Sequence, residues 1–166
     1  MKTSTKHTVA PAATDVPTAT ALKLFVVLSR AAAAVARHSD ESIARHDLTP
    51  AEFAILEVLL HRGPLLLGEV QRRILVSSGG VTFLVDKLEQ RGLVRRLPCE
   101  TDRRARYAEL TPEGRKLITR IFKGHAQVIR HAVSGLGLAD QRLAIRLLRT
   151  LGTEAEALPL AAPETD

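Results

Sequence analysis

At 166 residues the chain has room for one domain, and 45% hydrophobic content supplies a real core. Aromatics are 3% and tryptophan is absent, so Leu, Val, Ile and Ala must build that core, which favours helix-on-helix packing over a β-sandwich. The formal charge of +6 and pI near 10.1 fit a polyanionic partner, while a single cysteine excludes an internal disulfide and suits a reducing cytoplasm.

Residues 1–17, rich in Thr, Ala and Pro, read as a flexible arm without the apolar core of a secretory signal. A first helix is expected from about Thr18 to His46. Its front half (Leu22, Leu24, Phe25, Val26, Val27, Leu28 and Ala31 to Ala34) is apolar almost all round. Such a helix is buried on more than one side. In a chain this small a second subunit is the natural cover, so a homodimer is expected. Lys23, Ser29 and Arg30 interrupt the stretch short of the ~20 apolar residues a membrane span needs, and no membrane partner is expected.

Thr49-Pro50-Ala51-Glu52 starts the second helix, with Thr49 as N-cap, Pro50 in the first turn and Glu52 closing a capping box. Gly63-Pro64 stops it. A third helix spans about Leu67 to Ile74. Ser77 or Ser78 caps a fourth, Ser78 to Gln90, whose Val81, Leu84, Val85 and Leu88 fall on one buried stripe. Two strand-like runs follow Gly92, Leu93 to Leu97 and Arg106 to Leu110. Thr111-Pro112 caps a long fifth helix, Gly135-Leu136-Gly137 breaks it, and a sixth runs from about Asp140 to Ala157. The last residues, 158–166, read as a flexible tail.

Two short helices, a serine-glycine cap and a basic hairpin, in that order, are the layout of a winged helix-turn-helix that reads duplex DNA. Ser77, Ser78, Gly79 and Thr82 lie at the start of the recognition helix, against base edges and phosphates, with Lys87 on phosphate. Between Arg91 and Arg106 the chain sets Arg91, Arg95, Arg96, Arg103, Arg104 and Arg106 against only Glu100 and Asp102. Arg104 is expected in the minor groove, oriented by Asp102, with Arg103 and Arg106 on the backbone. A solvated turn is the bland alternative, but it does not need arginine at this density.

The six histidines form no metal-spaced cluster with Cys99, so no metal or cofactor is expected. Neighbouring arginines would make Cys99 reactive, although a lone cysteine at a wing base is ordinarily inert. No nucleophile elbow, P-loop or dinucleotide motif is present, which argues against an enzyme.

These residues resemble the MarR family of regulators. Val76-Ser77-Ser78-Gly79-Gly80-Val81-Thr82, Leu84-Val85-Asp86-Lys87-Leu88-Glu89 and Arg91-Gly92-Leu93-Val94 look like its recognition helix. Asp102-Arg103-Arg104 and Leu110-Thr111-Pro112-Glu113-Gly114 look like its wing and the start of its fifth helix. The resemblance covers about Leu22 to Leu151. It implies an obligate homodimer with interlocked first, fifth and sixth helices, and an effector site where those helices meet the DNA-binding lobe. Phe25 to Arg30, Pro50 to Ala54 and Asp86 to Glu89 look most like the branch that responds to phenols and quinones. Some quinone sensors of the family carry a cysteine near the N-terminus; here none stands there, which excludes alkylation at that position. Ala139 replaces a serine cap before the sixth helix, so that helix start is expected to fray.

The expected architecture is mainly α: a winged helix-turn-helix with a two-stranded wing, flanked by N- and C-terminal dimerisation helices. Residues 18–157 form a single domain, with the DNA-binding lobe over about 48–112 and the dimerisation helices over 18–46 and 112–157. The expected function is a cytoplasmic homodimeric repressor on a palindromic operator, its half-sites ~34 Å apart. A small aromatic or phenolic effector is expected in a pocket built from Phe25, Arg30, His38, His46, Phe53 and His61. Two rival readings stay open, a constitutive nucleoid-type DNA binder and a winged-helix protein-interaction module.

Overall fold

The computed structural model describes residues 15–74, 78–99, 102 and 105–159. In chain order they form α1 (Val16–Ala44), α2 (Pro50–Arg62), β1 (Leu65–Leu66), α3 (Leu67–Ile74), α4 (Ser78–Gln90), β2 (Val94–Pro98), β3 (Arg106–Leu110), α5 (Pro112–Ala132) and α6 (Leu138–Ala157).

Short side chains at the helix starts satisfy amide groups that no helical carbonyl can reach. Asp15 Oδ1 accepts from the Thr18 amide at 2.7 Å, so α1 already includes Val16 and Pro17, inside the stretch expected to be a free arm. Thr49 and Glu52 close the anticipated capping box: Thr49 Oγ1 accepts from the Glu52 amide at 3.2 Å, and Glu52 Oε2 accepts from the Thr49 amide at 2.7 Å. Thr111 Oγ1 accepts from the Gly114 amide at 3.0 Å and donates to the Gly92 carbonyl at 2.7 Å, tying α5 to the corner before β2. A Cβ on Gly114 would stand 1.9 Å from the Leu93 carbonyl oxygen, so only glycine allows that approach.

The sheet has three strands in the order β1-β3-β2, all antiparallel, with Leu65 opposite Ala108 and Val94 opposite Leu110. The strand beyond the expected two is β1. Gly63, at φ 75°, turns the chain out of α2 so that Leu65 and Leu66 pair with β3 before α3 begins. The α6 start is also earlier than expected, at Leu138. Gly137 offers it no side-chain cap, but Gln141 Nε2 donates to the Leu136 carbonyl at 2.9 Å and the Val133 carbonyl at 3.3 Å, which steadies the α5–α6 turn.

Phe53, Ile55, Leu56 and Leu59 of α2, Val70 of α3, Val81, Val85 and Leu88 of α4, Val94, Ala108 and Leu110 of the sheet, and Ile118 and Ile121 of α5 make one core. Only Ile43 of α1 joins it, and α6 adds no buried residue. Leu22, Leu24, Phe25, Val26 and Val27 of α1, with Leu143, Ile145, Leu147, Leu148 and Leu151 of α6, face outward in the single chain. An apolar groove of about 360 Å³, lined by Leu28, Ala31, Ala32, Val35, Ile145 and Leu148 among others, runs between these helices. By length and composition alone α1 would suffice to cross a membrane, despite its interrupting polar residues. Its C-terminal end, however, is anchored by Ile43 in the core, and it packs along α5.

Candidate nucleic-acid interface

Helix α4 is amphipathic, and its two faces have separate duties. Val81, Val85 and Leu88 are buried to 2% exposure or less, while Thr82, Phe83, Lys87 and Gln90 lie on the exposed side. The helix ends in a Schellman turn: the Gly92 amide donates to Glu89 and the Leu93 amide to Leu88, both at 2.9 Å, with Gly92 at φ 68°. That turn delivers the chain into β2 and sets the hairpin beside α4.

Charged groups lock α4 in place from behind. Arg96 of β2 reaches back to α4, where its guanidinium donates to Asp86, to Glu89 Oε2 at 2.8 Å and to the Thr82 carbonyl at 3.2 Å. Its amide donates to Glu89 Oε1 at 2.9 Å. On the other side Glu52, 1% exposed in α2, holds Lys87 Nζ at 3.0 Å and Arg91 Nη1 at 3.8 Å. Burial by itself raises the Glu52 carboxyl. Hydrogen bonds from the Thr49 backbone, Lys87 and the Thr49 side chain, together with the Lys87 charge, outweigh that and hold it below the ordinary value.

The arginines of this region therefore divide. Arg91 also donates to the Asp47 carbonyl at 3.0 Å, and Arg95 pairs across the strands with Glu109 at 2.6 Å. Arg91, Arg95 and Arg96 thus bind the lobe to itself. Arg106 is exposed at the hairpin, where it donates to the Ala105 carbonyl at 2.9 Å, and Asp102 is exposed before it. Ser77, Arg103 and Arg104 lie outside the described residues; of Ser78 and Gly79 only the helical backbone is described. Lys87 is half exposed and already engaged by Glu52, so any phosphate contact it makes shares the ammonium with that carboxylate. Sequence reasoning missed the exposed basic face of α5, where Arg115, Lys116, Arg120 and Lys123 surround an open groove. Their i, i+4 and i, i+3 spacing was the available signal.

The six residues expected in one effector pocket are not brought together. Phe53 is 3% exposed in the lobe core, its ring centroid 4.6 Å from that of His125, because α2 turns it toward α5. His61 packs edge-on against Phe122 at 5.0 Å and lines a shallow groove beside α3. Phe25 is 68% exposed on the outer part of α1, and Arg30 and His46 are exposed as well. His38 alone lines the groove between α1 and α5, about 350 Å³, with Glu41, Ser42, Arg45, Gln127, Val128 and His131. The spacing of His38, Glu41, Ser42 and Arg45 along one helix face marked this wall in the sequence; its second wall, on α5, was not legible.

His125 is nearly buried and its Nδ1 has no hydrogen-bond partner; desolvation pushes its pKa below the ordinary value against the opposing charge of Glu57. Cys99 lies beside the Tyr107 hydroxyl, which is held above its ordinary value by the Cys99 charge first and by lost solvation second. Among the described residues no cluster of three or more His, Cys, Asp or Glu could hold a metal.

A helix packed on the core by one stripe, with Thr82 and Phe83 exposed on the other side and a basic hairpin next to it, defines a winged-helix DNA-binding protein. The sequence pattern of the MarR family matches residues 46–105. The chain is 40% identical over 135 residues to the HTH-type transcriptional regulator MhqR of Bacillus subtilis (strain 168), covering 81% of this chain and 93% of that one. It is 38% identical over 138 residues to the regulator YkoM of the same organism, covering 83% and 90%. Its fold is similar to that of Bordetella bronchiseptica BpsR, whose DNA binding is regulated by 6-hydroxynicotinic acid, with a TM-score of 0.71 and 25% identity over 78% of this chain and 98% of that one. The chain belongs to the MarR family of winged-helix transcriptional regulators, which are DNA-binding proteins and not enzymes.

Proposed function

We propose that the protein is a homodimeric, sequence-specific repressor that leaves its operator when a small aromatic acid or phenol binds. The observation that carries this reading is the division of α4. Glu52 and Arg96 hold the helix through Lys87, Asp86 and Glu89, and the exposed side chains of Thr82 and Phe83 are left to face a major groove. The exposed apolar faces of α1 and α6 supply the surface for a second copy, which would present a second α4 about one helical turn of DNA away. Arg104 enters the minor groove, oriented by Asp102, with Arg103 and Arg106 on the DNA backbone. It would act in the cytoplasm, as is typical of MarR-type regulators.

The effector site is the groove between α1 and α5, where the Arg45 guanidinium and the ring N–H groups of His38 and His131 can donate to a carboxylate or phenolate. The groove touches a dimerisation helix and the helix that leaves the wing, so a ligand that prefers one spacing of the lobes changes DNA affinity. The regulation of BpsR by a hydroxylated aromatic acid supports that ligand class.

A gel shift on the DNA upstream of the protein's own gene, with excess competitor, tests the first half. A specific complex is expected, and equal affinity for any duplex would favour a constitutive binder. Titrating salicylate-like and quinol compounds into the complex tests the second half. Release with a coupling of ~1–3 kcal/mol is expected, abolished in Arg45→Ala with operator affinity retained.

A further inference from the structure

Among the described residues, the lobe between Leu48 and Ile121 exposes a single large apolar side chain, Phe83 of α4, at 67%. The stripe of Val81, Val85 and Leu88 already fills the core side of that helix, and no ring contact involves Phe83. It stands mid-helix on the clear face, next to Thr82 and one turn before Lys87. Scattered surface hydrophobes are ordinary, but this one occupies the position that meets base edges if α4 enters a major groove. In that groove adenine, guanine and cytosine present polar atoms and C–H edges, and thymine alone adds a methyl group.

We propose that Phe83 packs on the 5-methyl group of a thymine in each half-site and so determines sequence specificity. The assignment rests on the DNA-reading role of α4 given above. Binding a thymine methyl would cover a ring that the folded chain leaves in water, and cytosine at that place, with hydrogen at C5, would leave more of the ring uncovered.

The test uses the full chain and a duplex selected from a random library, with its thymines replaced one at a time by deoxyuridine, which lacks only the methyl. One symmetry-related pair of positions should lose about fourfold in affinity per half-site, roughly the worth of one buried methyl. Phe83→Ala, checked by circular dichroism to be folded, should bind the thymine and uracil duplexes equally, and Phe83→Leu should keep the preference. Uniform binding of every uracil duplex by the unaltered protein overturns the proposal, as does a loss that persists in Phe83→Ala. A library that yields no preferred sequence sinks the reading of α4 itself, and this assignment with it.

Discussion

Between Leu48 and Ile121 the chain closes its own core, with α2, α4, the sheet and the first half of α5 each contributing fully buried side chains. The terminal helices behave differently: α1 buries Ile43 alone and α6 buries nothing, while their Leu, Val and Ile side chains face outward. The polar contacts differ in the same way. Ion pairs through Glu52, Arg95 and Arg96 lace the lobe together, whereas Arg45 with Glu41, at the end of α1, is a surface contact between successive turns. The lobe is thus specified within one chain, whereas the proposed second copy would have to cover the apolar faces of the terminal helices.

The largest effect should come from setting the two regions against each other. Leu88→Ala, in a fully buried position, should cost about 2–5 kcal/mol in denaturant unfolding at any protein concentration. Leu148→Glu, in the α1–α6 groove, should destabilise in a manner that depends on protein concentration, because its penalty falls on association. If the two respond alike to dilution, the division of the molecule is wrong.

The arginines sharpen the comparison on the DNA side. Arg104→Ala should weaken specific binding by about 1–3 kcal/mol in a gel shift and leave the fold intact. Arg95→Ala removes only a surface pair with Glu109, and should change unfolding stability by no more than ~1 kcal/mol and operator affinity even less. Equal losses of affinity from both would mean that the hairpin acts through bulk charge.

Within the lobe, Glu52→Ala should cost about 1–2 kcal/mol. It deletes half of a capping box, while Lys87 and Arg91, partly exposed, can return to water. Thermal or denaturant unfolding reads it directly. The smallest effect is that of pH on the α2–α5 contact. Burial depresses the His125 pKa, so unfolded chains take up its proton first. Its contribution is full above about pH 6.5 and is lost as pH falls through the folded value. Denaturant midpoints between pH 8 and pH 5 should fall, and less steeply in His125→Leu.

What the sequence made legible was local. The Thr49–Glu52 box, the Thr111 cap and the periodic stripe of α4 each depend on residues within a few turns, and all are where they were expected. Contacts between distant segments were not legible. Nothing near Lys87 announces that a buried carboxylate of α2 will hold it, and the partners of Arg95 and Arg96 emerge only when β2 pairs with β3, beside Glu109, and packs against α4, beside Glu89. The candidate effector residues lie apart in the single chain for a related reason. Chemical type and helix membership placed Phe53 and His61 with His38, but the facing of α2 turned both phenylalanine and histidine rings toward α5. Phe83 was overlooked because helical periodicity marks what is buried, and says less about an apolar residue left outside.

The central claim, that α1 and α6 are completed by a second copy which pairs two α4 helices on one operator, is tested most directly by mass. Light scattering on the free protein, and on its complex with a single operator duplex, should give twice the 18.1 kDa chain mass in solution and two chains per duplex. A stable monomer at micromolar concentration, binding one chain per operator at full affinity, would contradict it.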